Sequence, residues 1–461
     1  MSVLAAFAVP HPPIILPEVG HGEERKIIRT AEAYYEAMRR VAAIKPDTVV
    51  LISPHAHMYA DYFHISPGKR AEGNMGVFHT PEVKITAEYD AEFVEKLTQL
   101  AETEKVPAGT LGERSKLLDH GTMVPLYFLN KVYTDYKLVR IGLSGLSPLV
   151  HYRLGQCIAR TADELGRRTV IIASGDLSHR LRQDGPYGFA PEGPEFDGQI
   201  IKALEAGDFM KLLEFSPEFA DAAGECGLRS FQIMAGALDK KAVTHELLSY
   251  EGPFGVGYCG AVFETKGNDE SRNFGVQFEK CERKRIESLR ENEDEYVRLA
   301  RLSVETYIKT GRRADLPEWL TEEMKSRRAG TFVSLKKHGQ LRGCIGTISP
   351  VTGSVAEEIM QNAVSSAVCD PRFEPVSEHE LPELSYSVDV LGDTELISSP
   401  EQLDVKRYGV IVESGRKRGL LLPNLEGVDT VEEQISIAKK KAGISPDEKV
   451  VLRRFEVVRH K

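Results

Sequence analysis

Cysteine is sparse and scattered. Six occur in 461 residues, and no two form a CxxC pair. That excludes a disulfide framework, a four-thiolate zinc site and a cysteine-held iron–sulfur cluster as organising features. No apolar run approaches the ~18–20 residues that a bilayer-spanning helix needs. The stretch MSVLAAFAVPHPPIILPEVG at residues 1–20 is apolar but lacks a basic n-region and is broken by prolines. It does not read as a secretory signal, and a cytoplasmic location is expected. Positive charge is also in deficit. The formal charge is -10 and the pI about 5.8, which argues against a nucleic-acid partner. The basic run KCERKR at 280–285 is followed by acidic residues and reads as a solvated helix or linker. Internal repeats and low-complexity segments are absent from the sequence.

What is present suits a soluble globular protein: 41% apolar and 28% charged residues. The length predicts two domains or more. Short apolar runs at 3–9, 48–53, 138–143 and 169–174 alternate with helical stretches at 22–44, 90–103 and 150–166. This pattern predicts an α/β domain with a largely buried sheet flanked by helices. Helices are expected at 195–212 and 225–240, a closing strand at 254–264, and a polar linker at 265–273. A charged helix over 282–309 leads to a second, α+β region. There, strands FVSL and LRGCIGTI are joined by a turn at KHGQ, and a helix ends at Asp370-Pro371. Strands at 384–392 and 409–413, a helix at 430–442 and a final strand at 449–458 complete it. The expected domains are 1–268 and 285–461.

Only 13 histidines occur, yet four punctuate apolar runs in the first 180 residues: His11 in VPHPP, His55 in SPHAH, His120 in DHG and His179 in GDLSH. Side chains at strand ends converge in sheets of this kind. Imidazole is the common ligand of iron, copper and zinc and the side chain that exchanges protons near neutral pH. A metal-centred site is therefore expected. Two histidines and a carboxylate on one face would suit Fe(II) and O2 chemistry. His11 and His55 are the best imidazole candidates, and His57, two residues on, competes with His55. His120, beside turn residue Gly121, is a candidate hydrogen-bond donor to a ligand. His179 is a candidate acid/base. Asp176 reads equally as a helix N-cap. The third ligand is open between Glu225, at the start of an amphipathic helix, and Cys226 beside it. His64 and His151 lack comparable context.

These pieces, with ECGLRSFQIMAGAL, HELLSYE and GYCGAVFE, resemble the class III extradiol ring-cleaving dioxygenases of the LigB type and their Memo relatives. The resemblance implies a non-haem Fe(II), with copper or zinc as alternatives, held by His11, His55 and Glu225. It also implies His179 as acid/base, His120 as a substrate-positioning residue, and a catechol-like substrate attacked by O2. Memo-type proteins carry a cysteine in the region of Cys226, which would favour a redox accessory role without ring cleavage.

Residues 285–461 resemble the AMMECR family through TFVSL, LRGCIGTI, AVCDPRFEPV and LSYSVDVL. Arg342 could hold an anion or a backbone carbonyl, and Cys344 reads as a buried apolar side chain. The fusion resembles proteins of the AmmeMemoRadiSam system, which implies a separate radical-SAM partner, since no CxxxCxxC motif occurs here.

Overall fold

The computed structural model describes residues 2–425 and 428–461. The chain divides into two compact units, Met1–Glu279 and Lys280–Lys461.

Six strands form the main sheet of the first unit: β1 (Val3–Val9), β2 (Thr48–Ser53), β3 (Lys137–Gly142), β4 (Thr169–Ser174), β5 (Lys241–Glu251) and β6 (Tyr258–Asn268). Their order is β3-β2-β4-β1-β6-β5. The first four run parallel, while β6 and β5 are antiparallel additions. Every residue of β2 and β4 is buried. These strands have helices on both faces, so they are continuous apolar runs and do not alternate. Ala5, Phe7 and Val9 of β1 face a layer formed by α1 (Ile28–Ile44) and α3 (His120–Asn130). Ala6 and Ala8 face the opposite layer. That layer holds α2 (Ala91–Thr103), α4 (Pro148–Leu165), α5 (Glu192–Ala206) and α6 (Leu228–Ala237). Truncating a β2 or β4 Ile or Leu to Ala here costs about 2–5 kcal/mol.

Several expected elements shift. The closing strand begins at Tyr258 and continues to Asn268, because Thr265, Gly267 and Asn268 pair with Val243, Ala242 and Lys241 of β5. The stretch 265–273 is therefore strand end and 3-10 turn (Glu270–Arg272), not a linker. The helix expected over 195–212 is broken at Gly207, whose φ is 60°. Asp208 then caps a short helix, Phe209–Glu214. The charged helix expected over 282–309 is two: α7 (Phe274–Glu291) and α8 (Glu295–Thr310). Asp294 separates them, its carboxylate accepting from the backbone N–H groups of Tyr296 and Val297. The division between the two units falls within α7.

The second unit is α+β. One sheet holds β7 (Thr331–Lys337), β8 (Gln340–Gly346), β9 (Leu384–Leu391) and a terminal strand, β14 (Val457–His460), in the order β8-β7-β9-β14. The other holds β10 (Glu395–Ile397), β11 (Gly409–Ser414), β12 (Lys417–Leu421) and β13 (Val451–Phe455), in the order β10-β13-β11-β12. The β7–β8 turn uses left-handed His338 and Gly339, at φ 50° and 79°, the handedness that matches strand twist. Helices α8 and α9 (Val355–Val368) pack on the first sheet, and α10 (Val431–Lys441) on the second. The single strand expected over 449–458 is two, β13 and β14, in different sheets with only Glu456 between them. The chain also passes from β9 to β10 across Gly392, Asp393 and Thr394. The two crossings are bonded to each other, Gly392 N–H donating to the Glu456 carbonyl at 2.8 Å.

Candidate metal centre

Strands β2, β4 and β1 are parallel neighbours, so their carboxyl ends share one rim of the sheet. His11 follows β1, His55 follows β2, and the Gly175–His179 segment follows β4. His120 comes from another direction, as the first residue of α3. Asp119 caps that helix, its carboxylate accepting from Thr122 N–H (3.0 Å), Thr122 Oγ1 (2.9 Å) and the Ser53 hydroxyl at the end of β2. This capping ties α3 to β2. Gly121 lies so close to Ser53 and His55 that a Cβ there would stand 2.5 Å from Ser53 Oγ.

His11 is 2% exposed and held at both ends. Its backbone N–H donates to Asp176 Oδ1 at 2.7 Å. Its Nδ1 lies 3.0 Å from Ser174 Oγ. Ser174 donates its only hydroxyl hydrogen to the Gly121 carbonyl at 2.7 Å. Towards His11 it can only accept, so Nδ1 carries the ring hydrogen. Burial, aided by His55, His120 and His179, pushes the His11 pKa well below its usual value and keeps the ring neutral. Nε2 is left with a bare lone pair, 2.9 Å from His55 Nε2 and 3.6 Å from Cys226 Sγ.

Cys226 reaches this point through a contact between glycines. A Cβ on Gly175 would lie 2.1 Å from the Gly227 Cα, so the segment before α6 can close onto the end of β4 only because both residues lack side chains. Backbone bonds then lock the two segments: Cys226 N–H donates to the Asp176 carbonyl at 3.3 Å, and Asp176 N–H to Cys226 Sγ at 3.3 Å. Burial, with Asp176 and Glu225 nearby, drives the Cys226 thiol well above its ordinary pKa.

His11, His55 and Cys226 each offer a ligand atom within 4.8 Å of one another, the group of described residues able to hold a metal ion here. Glu225 is not in it. Its Oε2 accepts from Leu228 N–H at 2.6 Å, capping the first turn of α6, and burial raises its pKa to about 7. His57 is turned away too. Its Nε2 lies 3.1 and 2.9 Å from the backbone nitrogens of Arg114 and Ser115, and its ring packs on His64. Asp176 caps no helix. It holds the His11 backbone, its Oδ2 lies 3.9 Å from His11 Nε2, and burial lifts its pKa to about 7. Ser174 and Asp176 were not singled out as site residues. A serine closing an otherwise apolar strand, as in TVIIAS and TVVLIS, was the available signal.

The other two histidines face the same place. The His120 ring lies 4.0 Å from His55, centre to centre, with Phe78 edge-on behind it at 5.4 Å. His179 stacks on Tyr187 at 5.2 Å. Burial pushes the pKa of His179 and of His55 to about 4, helped by His55 and His120 respectively, and burial also lowers that of His120. All three are neutral near pH 7.

A family model described as "Catalytic LigB subunit of aromatic ring-opening dioxygenase" matches residues 5–263. The chain belongs to the LigB family. An AMMECR1 model matches residues 297–460, so the LigB-type half is joined to an AMMECR1-type half. Protein CA_C1420 of Clostridium acetobutylicum is 43% identical over 469 aligned residues, covering 100% of both chains. A protein of Thermotoga maritima is 49% identical over 171 residues, 37% of this chain and 98% of that one. The crystal structure of uncharacterized protein PH0010 from Pyrococcus horikoshii covers 36% of this chain and 88% of its own, at 36% identity and a TM-score of 0.34.

In the AMMECR1-type half, Arg342 holds a protein carboxylate, pairing with both oxygens of Glu380 at 3.0 and 3.1 Å. Cys344 is only partly buried. Its thiol accepts from Ser334 Oγ at 3.2 Å, its N–H donates to Asp370, and its carbonyl accepts from Arg372.

No helix among the described residues is long and apolar enough to cross a membrane.

Proposed function

We propose that the LigB-type half is a metal-dependent oxidoreductase whose ion is held by His11 Nε2, His55 Nε2 and Cys226 Sγ, with copper favoured over iron. The observation that carries this reading is the lone pair of His11 Nε2, facing His55 Nε2 at 2.9 Å and Cys226 Sγ at 3.6 Å. Two imidazoles and a thiolate suit a soft, redox-active ion. A two-histidine, one-carboxylate face would suit Fe(II), but Glu225 caps α6 and the nearer carboxylate, Asp176, is engaged through Oδ1 by the His11 backbone, with its Oδ2 3.9 Å from His11 Nε2. The bound ion would supply the one-electron chemistry that side chains lack.

The chain's own residues do the remaining work. Ser174 fixes the His11 tautomer, as the outer partners of metal-bound histidines do. Cys226 would hold the ion as a thiolate, so its thiol proton would have to leave on loading. Neutral His120 and His179 accept hydrogen bonds or a proton from a hydroxylated ligand at the rim. Phe78 and Tyr187 back these two rings and give the mouth an aromatic lining.

A second reading, ring opening of a catechol with Fe(II) and O2, is favoured by one observation. His120 and His179, the histidines expected to position substrate and move its proton, both lie near His55: the His120 ring is 4.0 Å from it, and His55 helps to lower the His179 pKa.

Metal analysis of anaerobically purified protein, with O2 uptake on a catechol panel, decides between them. The first reading expects about one copper per chain, lost in Cys226→Ala and His11→Ala, and no ring-opened product. Iron that survives Cys226→Ala, with catechol-dependent O2 uptake, would replace it with the second. Zinc alone would remove the redox function.

A further inference from the structure

β1 ends at Val9, and Pro10 and His11 carry the chain from there into the metal centre. The backbone polar groups of this short passage are all held. The Val9 carbonyl accepts from Gly175 N–H at 2.9 Å, and His11 N–H donates to Asp176 Oδ1 at 2.7 Å. Proline has no N–H to place. That leaves the buried Pro10 carbonyl, which accepts the hydroxyl hydrogen of Tyr34. Gly175 and Asp176 both belong to the segment after β4, whereas Tyr34 comes from α1. The Pro10 carbonyl and the His11 N–H are the two poles of one planar peptide unit. Tyr34 and Asp176 therefore pin that plane at both poles. Its tilt sets ψ of Pro10 and φ of His11, and φ of His11 aims the side chain. Tyr34 is itself fixed. It is 1% exposed and stacks on Phe128, with ring centres 4.4 Å apart and planes 16° from parallel. Phe128 lies on α3, the helix that His120 begins.

We infer that Tyr34 is a positioning residue of the metal centre: by holding the Pro10 carbonyl it fixes the peptide plane that aims His11 Nε2 at the ion. This rests on the metal-binding reading of His11, His55 and Cys226. Tyr34 acts through the backbone of Pro10 and His11, while Ser174 acts on the ring. Outer partners of a metal-bound histidine typically carry 10–100-fold in metal affinity.

The test is Tyr34→Phe in the full chain, which keeps the ring on Phe128 and removes one oxygen. Cobalt(II) is the probe, since it binds nitrogen and sulfur donors and its visible bands report their geometry. Affinity is read by competition with a chelator. The control is Tyr152→Phe. Tyr152 is also fully buried, and its hydroxyl donates to Asp239 Oδ1 at 2.5 Å. Asp239 follows the C-terminal end of α6, whose ten residues span roughly 15 Å from the end next to Cys226. A hydrogen bond to a carboxylate is worth at least as much to the fold as one to a carbonyl, so the control should be destabilised no less. Tyr34→Phe should bind cobalt about 10-fold more weakly, with shifted bands. Tyr152→Phe should stay within twofold of the parent, with its bands unmoved. Unchanged affinity and bands in Tyr34→Phe, even with a lowered melting point, would overturn the inference. So would an equal loss in Tyr152→Phe, which would make the effect one of general stability. A parent that takes up no cobalt, or a His11→Ala variant that binds it as tightly as the parent, would instead overturn the metal-binding reading and the inference with it.

Discussion

Ser174 is the residue whose removal tests the metal centre most directly. Ser174→Ala deletes one oxygen at the end of β4 and strips two buried groups of partners: His11 Nδ1–H and the Gly121 carbonyl. Leaving a buried polar group unsatisfied costs roughly 1–3 kcal/mol, so the pair should cost about 2–6 kcal/mol before any water enters the gap. For a unit of this size that lowers the melting point by about 4–24 °C. The second effect concerns the tautomer. Without an acceptor at Nδ1, the His11 hydrogen is free to move to Nε2, where it blocks the lone pair. Losing such an outer partner typically costs 10–100-fold in metal affinity. Both numbers are measurable on one preparation, by a thermal melt of the metal-free protein and by competition of the loaded protein with a chelator of known affinity. Metal affinity within twofold of the parent would refute the tautomer argument even if the melt fell. An unchanged melt would refute the hydrogen-bond assignment itself.

Glu225→Gln should keep the metal and the fold, because Gln can still cap Leu228 N–H and burial already favours the uncharged acid; loss of metal, measured by elemental analysis, would restore Glu225 as a ligand. Gly175→Ala should destabilise the first unit by about 1–3 kcal/mol through the collision with Gly227 and lower metal content as Cys226 is pushed away; denaturant unfolding and metal analysis check both. In the second unit, burial opposes ionisation of Glu380, but Arg342 and Ser377 outweigh it and hold the carboxyl down to about 2. A depressed acid stabilises the fold above its unfolded value and loses that contribution as pH falls towards 2. Glu380→Gln should therefore remove about 1–2 kcal/mol at pH 7, allowing for solvent screening, and flatten the acid limb of the stability profile between about pH 4.5 and 2.

The parallel core was legible because strands buried on both faces, such as β2 and β4, are nearly unbroken apolar runs, and β1 and β2 are each followed by a proline next to a candidate ligand, His11 or His55. α3 was not legible as a helix. Eight of its eleven residues are buried, so it carries no amphipathic period, and Pro125 lies within it. The segment at 120–125 therefore read as a strand end or turn. β5 was missed as a strand because it is an edge, half exposed, with His245, Glu246 and Tyr250 among its β-branched residues. The choice between Glu225 and Cys226 lay beyond the sequence for a different reason. The two are adjacent, and which side chain faces His11 depends on backbone bonds between Cys226 and Asp176, residues 50 apart. Likewise, nothing in VLRRFEVVRH marks Glu456 as the point where one sheet ends and another begins.

That single-residue crossing has a mechanical consequence for the AMMECR1-type half. A strand pulled out of one sheet has little slack before it loads the other, since Glu456 alone separates β13 from β14 and is clamped through its carbonyl to the second crossing at Gly392. Under stretching force the two sheets should therefore rupture as one event, with no intermediate in which either survives alone. The same shortage of rope means that an insertion at position 456, harmless in a surface loop, should here uncouple the sheets and split one cooperative transition into two.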